Sequence, residues 1–383
     1  MQRRRYLSAA ALLCAALIAA SGCAYTDSDV LVRGDRAAAA SLESMRGQVL
    51  SKGPYGEDPA LASDITLTPE EVAKVRSRKA TAAISMHYTG DDWTAAQLAG
   101  LQKQFDALGI EVIAVTDANR KPEKQVSDIE TIMAKHPDIL VSIPTDGVAT
   151  AKAFQKAADE GVHLVFMDNV PKDMKPGAGY VSVVSADNFG NGVVSAHLMA
   201  DALGGRGKIG VVFYQSDYLV TQRRYDGFTS TIKRHYPGIQ IVEEKGFSGP
   251  DYAGQSLVAA NAMVSKHPDL AGIWGVWDIP TEGIVSAARS SERPDLVITT
   301  QDLGKNVAIA MARKRNITGL GAQRPYDQGV TEATLGAYGL IGKPAPPFVA
   351  LAPLAVTRDN LAQAWREVYR SDAPPEVQQW LHR

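Results

Sequence analysis

The sequence predicts an α/β protein built as two lobes, each a parallel sheet covered by helices on both faces. Three observations carry that expectation. Strand and helix patterns alternate from Lys79 onward, the alternation restarts near Asn191, and one helix–turn–strand motif recurs in both halves. Buried parallel strands read as short apolar runs and surface helices as apolar residues three and four apart. Strict alternation of the two with short connections is therefore the pattern of a β-α-β sheet.

In the first half, residues 80–85 form an apolar, buried-strand run, and 94–108 carry Leu98, Leu101, Phe105 and Leu108 at helical spacing before Gly109 stops the helix. Residues 110–115 read as a strand, 126–135 as a helix, 139–143 as a strand, 149–160 as a helix and 163–167 as a strand. In the second half, helices are expected over 191–203, 223–235, 253–266 and 281–289. The intervening strands fall at 208–214, 239–244, 273–276 and 296–300. Two such runs exceed one comfortable sheet, which divides the chain into two lobes. The repeat supports the division: Met133-Ala134-Lys135-His136-Pro137-Asp138-Ile139 returns as Val264-Ser265-Lys266-His267-Pro268-Asp269-Leu270. Each copy follows a helix and opens a strand that runs out to an acid, Asp146 in one and Asp278 in the other.

The N-terminus sets an expected compartment. A basic head, Met1-Gln2-Arg3-Arg4-Arg5, precedes an apolar run and then Ala20-Ser21-Gly22-Cys23. The run is too short for a stable membrane span and has the parts of a secretion signal. The Cys directly after Ser-Gly resembles a bacterial lipoprotein signal, in which Cys23 is lipidated and becomes the mature N-terminus. Ordinary cleavage nearby would instead leave Cys23 free or remove it, and the Arg run also resembles a twin-arginine signal faintly. Residues 24–78 are polar without a sustained apolar period and read partly as a tether. Within them, Thr68-Pro69-Glu70-Glu71 has the makings of a helix start.

Composition excludes several classes. A formal charge of −2 with no basic stripe argues against a nucleic-acid partner. The two cysteines, Cys14 and Cys23, both lie in the N-terminal segment, so the body is expected to have no disulfide and no Cys-based metal site. Hydrophobic content of 45% is that of an ordinary globular protein, and no second apolar run reaches transmembrane length.

Ligands of open parallel sheets bind beyond the carboxyl ends of the strands. In the first half those positions hold His87, Asp91, Asp92 and Trp93, then Asp146, then Asp168 and Asn169. In the second half they hold Arg224, Tyr252, Trp277, Asp278 and Asp302. Carboxylates and amides exchange paired hydrogen bonds with adjacent hydroxyls, and aromatic rings cover the C–H faces of a sugar. For each acid the competing reading is a helix cap. No catalytic residue, metal or cofactor is expected. There is no Gly-x-Ser-x-Gly elbow and no His-Glu-x-x-His helix. The glycine-rich stretch before Lys208 lies between helix and strand, the wrong order for a phosphate loop.

The chain resembles the type I periplasmic binding proteins, the family of ribose- and galactose-binding proteins, over roughly residues 79–356. The residues carrying the resemblance are Asp92-Trp93, Pro144-Thr145-Asp146, Phe166-Met167-Asp168-Asn169 and Ser185-Ala186-Asp187-Asn188. Further along come Arg224-Tyr225-Asp226-Gly227-Phe228, Trp277-Asp278, Thr300-Gln301-Asp302 and Gln323. The resemblance implies two Rossmann-like lobes with parallel sheets joined by a three-stranded hinge. Residues 79–184 and 324–353 would form lobe one, and 185–323 and 354–383 lobe two, after a signal at 1–22 and an extension at 23–78. It implies sugar contacts for Asp168, for Arg224 in an Arg-x-x-Gly-Phe turn, and for Asp302, Gln323 and Trp93. Asn169 stands where many relatives have Arg, Trp277 where Asn is common, and His87, Asp91 and Asp92 replace an Asn-Pro-aromatic run. The pocket is therefore expected to keep its place and hold a polyol, modified sugar or cyclic alcohol. The implied function is that of a monomeric, non-enzymatic solute-binding lipoprotein outside the cytoplasm, touching the membrane through its anchor alone. Its partners would be an ABC permease and its ATPase, or alternatively a membrane sensor. An enzyme acting on a sugar derivative is the remaining rival.

Overall fold

Two parallel sheets face one another across a cleft, and each strand order follows from the β-α-β alternation. The computed structural model describes residues 38–216 and 218–381; the expected signal segment, Cys14 and Cys23 lie outside them. Sheet one has the order β1-β12-β6-β5-β4-β2-β3. Its strands are β1 (Ala60–Leu61), β2 (Thr81–Met86), β3 (Glu111–Asp117), β4 (Ile139–Ser142), β5 (His163–Met167), β6 (Ser182–Ala186) and β12 (Phe348–Leu351). Sheet two has the order β13-β11-β10-β9-β7-β8. It comprises β7 (Gly207–Tyr214), β8 (Ile239–Phe247), β9 (Leu270–Gly275), β10 (Val297–Gln301), β11 (Ile317–Ala322) and β13 (Leu354–Val356). All pairings are parallel except β11 with β13.

The chain passes between the sheets after β6, after β11 and between β12 and β13. The first passage falls at Asp187, a little beyond the 184/185 boundary read from the sequence, because β6 belongs whole to sheet one.

Neighbouring strand residues point to opposite faces. In lobe one, Ile84, Val141 and Val165 therefore meet Leu101, Phe105 and Leu335 on one side. Ala83, Leu140 and Phe166 meet Ile129, Ile132 and Phe154 on the other. Lobe two is organised around Trp274, which stacks on Phe228 with ring centroids 4.7 Å apart.

Several helices begin earlier than their apolar periodicity suggests, three of them on an aspartate cap, whereas the helix expected over 149–160 spans only Ala151–Asp159. Asp91 caps Asp92–Leu108 by accepting from Thr94 N at 2.8 Å, and Asp187 and Asp251 cap Asn188–Ala202 and Tyr252–Lys266. The helix Pro69–Ser77 starts at Thr68, whose hydroxyl accepts from Glu71 N. The helix Pro325–Ile341 has no legible amphipathic period, because most of it from Pro325 to Tyr338 is buried.

The expected tether is corrected over residues 38–67, which lie folded against both lobes. Residues 38–44 are helical, and Leu42 and Met45 pack on Val193, Val194 and Leu198 of lobe two. The buried Asp187 carboxylate accepts from Leu50 N (2.6 Å), Ser51 N (2.9 Å) and Ser51 Oγ (2.6 Å). Arg223 of lobe two donates to the Gly53 carbonyl at 3.0 Å. The segment then reaches lobe one, where Tyr55 Oη donates to Met174 O at 2.6 Å and β1 pairs with β12. Such a segment is held by backbone and cap hydrogen bonds to distant residues, which leave no periodic trace in its own sequence.

Candidate functional site

The carboxyl ends of both sheets converge on a cavity of about 240 Å³. Lobe one contributes His87 after β2, Asp91 and Trp93 at the next helix start, Arg120 after β3, Thr145 after β4 and Asp168 after β5. Lobe two contributes Tyr214, Tyr218 and Arg224, then Tyr252, Trp277, Asp278 and Asp302. Gln323 lies at the second passage between lobes.

One hydrogen-bonded chain runs across the cleft floor. Gln328 Nε2 (3.3 Å) and Ser185 Oγ (2.7 Å) donate to Asp168 Oδ1. Asn188 Nδ2 donates to Ser185 Oγ at 3.1 Å and accepts, through Oδ1, from Arg224 Nε at 2.9 Å. Arg224 Nη1 reaches Asp302 Oδ2 at 2.8 Å, and Gln323 Nε2 donates to Asp302 Oδ1 at 2.7 Å. Arg224 and Asp302 are 4% and 14% exposed, so this pair works in a poorly screened medium. The Arg224-x-x-Gly227-Phe228 motif, a turn in the resemblance but within the helix expected over 223–235, is interior to the helix Leu219–His235. Gly227 matters because a Cβ there would stand 2.2 Å from Phe189 O. Its absence lets this helix close on Asn188–Ala202 and brings Arg224 to Asn188.

The walls differ in character. Lobe two offers an aromatic surface in which Trp277 lies 5.3 Å from Tyr252 and 5.6 Å from Tyr214 between ring centroids. On lobe one the His87 and Trp93 rings meet edge-on at 6.3 Å. Arg120 spans the lobes, its guanidinium 4.1 Å from the Tyr88 ring centroid and 5.1 Å from that of Tyr252.

Burial controls the charges. It holds the His87 imidazole down to about 3, with Arg120 adding to the effect, so this ring is neutral at physiological pH. Burial raises the carboxyls of Asp91 and Asp168, the latter offset by the Ser185 hydrogen bond and Arg224. Asp278 is raised well above the usual range by burial and then by the charges of Asp302 and Asp91. Among the described residues, five polar atoms of lining residues are buried without a hydrogen-bond partner: His87 Nδ1, Trp93 Nε1, Thr145 Oγ1, Tyr218 Oη and Gln323 Oε1. Unmet buried polar atoms are rare in native interiors, and their concentration in residues that line one cavity favours a place for a polar ligand.

Ten of the thirteen expected contact residues line this cavity, and three do not. Asp92 is exposed and joins the lobes at the rim, where its Oδ2 accepts from Lys305 N at 2.7 Å. Asp146 Oδ1 accepts from Val148 N and Ala149 N, both at 2.8 Å, so it closes its own turn. Asn169 follows Asp168, and its Nδ2 is buried off the cavity wall. The sequence reading left out Arg120; it met Tyr214 and Tyr218 at a strand end and Asn188 in the resemblance, without giving them a ligand contact. Arg120 had a signal, since it follows the end of the second strand, a position of the same kind as the others.

A family model described as a periplasmic binding protein domain matches residues 82–344. The ribose import binding protein of Bacillus subtilis is 27% identical over 226 residues, covering 59% of this chain and 70% of that protein. The D-ribose/D-allose-binding protein of Pseudomonas aeruginosa is 27% identical over 171 residues, covering 44% of this chain and 52% of that protein. Among solved structures, an ABC transporter solute-binding protein from Agrobacterium vitis bound with α-D-tagatopyranose aligns with a TM-score of 0.68 at 23% identity. That alignment covers 76% of this chain and 99% of that one. One from Actinobacillus succinogenes with bound D-allose aligns with a TM-score of 0.66 at 20% identity, covering 74% and 99%. At such identities the structural likeness speaks for the fold.

Proposed function

The chain belongs to the type I periplasmic binding protein family, and from that premise we propose that it captures a sugar, polyol or related hydroxylated solute outside the cytoplasm for an ABC-type importer. The observation that carries this reading is the set of five unmet polar atoms in residues that line one cavity from both lobes. The cavity, at about 240 Å³, lies below the ~300–1,000 Å³ of drug-sized sites. It suits a molecule of monosaccharide scale. Carboxylates, amides and an Arg address hydroxyls, while Trp277 and Tyr252 offer flat apolar surface to C–H faces. The sugars bound by the relatives favour the same chemical class.

The mechanism proposed is closure. A ligand that touches His87, Asp91 and Asp168 on one lobe and Arg224, Trp277 and Asp302 on the other stabilises the closed arrangement over an open one. The closed surface then docks on the permease. We place the anchor at Cys23, where the signal-like segment ends, so that the body stays at the membrane on the outer side. A thermal-shift screen of hydroxylated solutes on the full chain tests the reading, because a ligand raises apparent stability by mass action. The expected outcome is a dose-dependent rise for at least one pentose, hexose or polyol type, displaced to higher ligand concentration in an Arg224→Ala variant. Turnover of the hit compound by purified protein, or no response to any hydroxylated compound, sinks it. Mass spectrometry of the mature N-terminus tests the anchor, and an unmodified N-terminus rejects it.

A further inference from the structure

The cavity holds more carboxyl groups than its own cations can pair. Four carboxyl groups line it, Asp91, Asp168, Asp278 and Asp302, against two guanidinium groups, Arg120 and Arg224. Arg224 is committed to Asp302 at 2.8 Å, and Arg120 lies against the faces of Tyr88 and Tyr252. His87 is neutral and adds no cation. Among the described residues, neither Asp91 nor Asp278 has an ion-pair partner. Their recorded hydrogen bonds are local, from Thr94 N to Asp91 at 2.8 Å and from Ile279 N to Asp278 at 2.9 Å.

The two acids belong to different lobes. Asp91 starts the helix after β2 of sheet one, and Asp278 the helix after β9 of sheet two. Bringing the lobes together sets both carboxyl groups in one poorly screened cavity, where ionising the pair opposes closure and the Asp278 carboxyl is held well above its usual range. A neutral hydroxyl relieves little of that. An ammonium group turns the repulsion into attraction to both lobes at once, so its effect falls on the closed arrangement. Gln323 lines the same cavity and is more than nine-tenths buried, and its Oε1 has no partner among the described residues, which adds an acceptor awaiting a donor.

We propose that the ligand of this site carries a basic nitrogen, as in an amino sugar, aminated polyol or aminocyclitol, and that Asp91 and Asp278 receive its ammonium from opposite lobes. This rests on the binding function proposed above and names its substrate class. The test is calorimetry on the full chain with matched pairs differing by one ammonium for one hydroxyl. These are 2-amino-2-deoxyhexoses against hexoses, 1-amino-1-deoxypentitols against pentitols, and an aminocyclitol against inositol. Calcium chloride alone serves as a further arm. The expected result is one amine that binds at least roughly tenfold tighter than its hydroxyl twin. In Asp278→Asn and in Asp91→Asn that preference should shrink toward equality. The Asn variants keep shape, and thermal melts identify any that fail to fold, in which case the other variant decides. Hydroxyl twins that bind as tightly as the amines, or calcium that binds in their place, overturn the amine while leaving a solute receptor. Silence toward every member of the panel removes the amine and counts against the binding function as well.

Discussion

Asp168 and Asp302 hold corresponding posts in the two lobes. Each follows a strand end, each adopts a left-handed backbone (φ 57° and 65°), and each donates its N–H to the neighbouring strand, to Val184 O at 2.8 Å and Gly321 O at 3.0 Å. Asp tolerates this region better than most residues, though at some conformational expense. The same local device thus presents a carboxylate to the cavity from each side, and the polar chain through Ser185, Asn188 and Arg224 joins the two.

Arg224 is the member of that chain whose removal leaves most unpaired. Arg224→Ala strands Asp302 as a poorly screened carboxylate and frees the Asn188 acceptor. Breaking a buried pair from one side costs about 3–5 kcal/mol. Denaturant melts should show that loss, and ligand affinity should fall by roughly 10–100-fold. A variant as stable as the parent contradicts the role given to this pair.

Asp92 tests the lobe contact without touching the cavity. Asp92→Ala removes the carboxylate that accepts from Lys305 N, the first residue of the helix Lys305–Ala312. A lost cap of this kind costs about 1 kcal/mol. Affinity should drop roughly fivefold with the order of ligand preference unchanged, and X-ray scattering should report a wider ligand-free average. A change in which ligand is preferred would place Asp92 in the site after all.

His197 sets an acid limit on stability. Burial holds its imidazole down to about 4, with His235 adding to the effect, and Nδ1 lies against Tyr236 Oη. The folded state therefore resists a proton that the unfolded chain accepts below about 6.5. The sign follows: stability is complete above that pH and declines as pH falls toward about 4, by about 3 kcal/mol at the end of the range. His197→Gln should flatten this part of the stability–pH curve relative to the parent, as read by melts between neutral and acid pH.

Asp187 ties the N-terminal extension to the start of the helix Asn188–Ala202. Asp187→Ala leaves Leu50 N, Ser51 N and Gly190 N without their acceptor. About 1–3 kcal/mol should be lost. Limited proteolysis should then cut within residues 38–58 faster than in the parent. Unaltered cleavage would mean that the extension is held by its apolar contacts alone.

Helices, strands and most of their order were legible because their periods and caps are written within a few residues. The strand ends were equally legible, and inspecting them found His87, Asp168, Asp278 and Asp302. Arg120 was passed over although it sits at such an end. The helix Pro325–Ile341, buried almost all round, had no polar face to reveal its period.

The repeated Pro-Asp motif draws the boundary between the two kinds of information. Both copies put an acid beyond a strand, yet Asp278 faces the cavity and Asp146 closes its own turn. The sequence by itself determined an α/β chain of two sheets with polar strand ends, since those features depend on local spacing and backbone sterics. Only the tertiary structure decided which carboxylates converge, that Asp91 and Asp278 line one cavity from opposite lobes, and that residues 38–67 brace both halves. Those outcomes depend on where distant segments come to rest, and side-chain direction beyond a strand is settled by the partner it finds there.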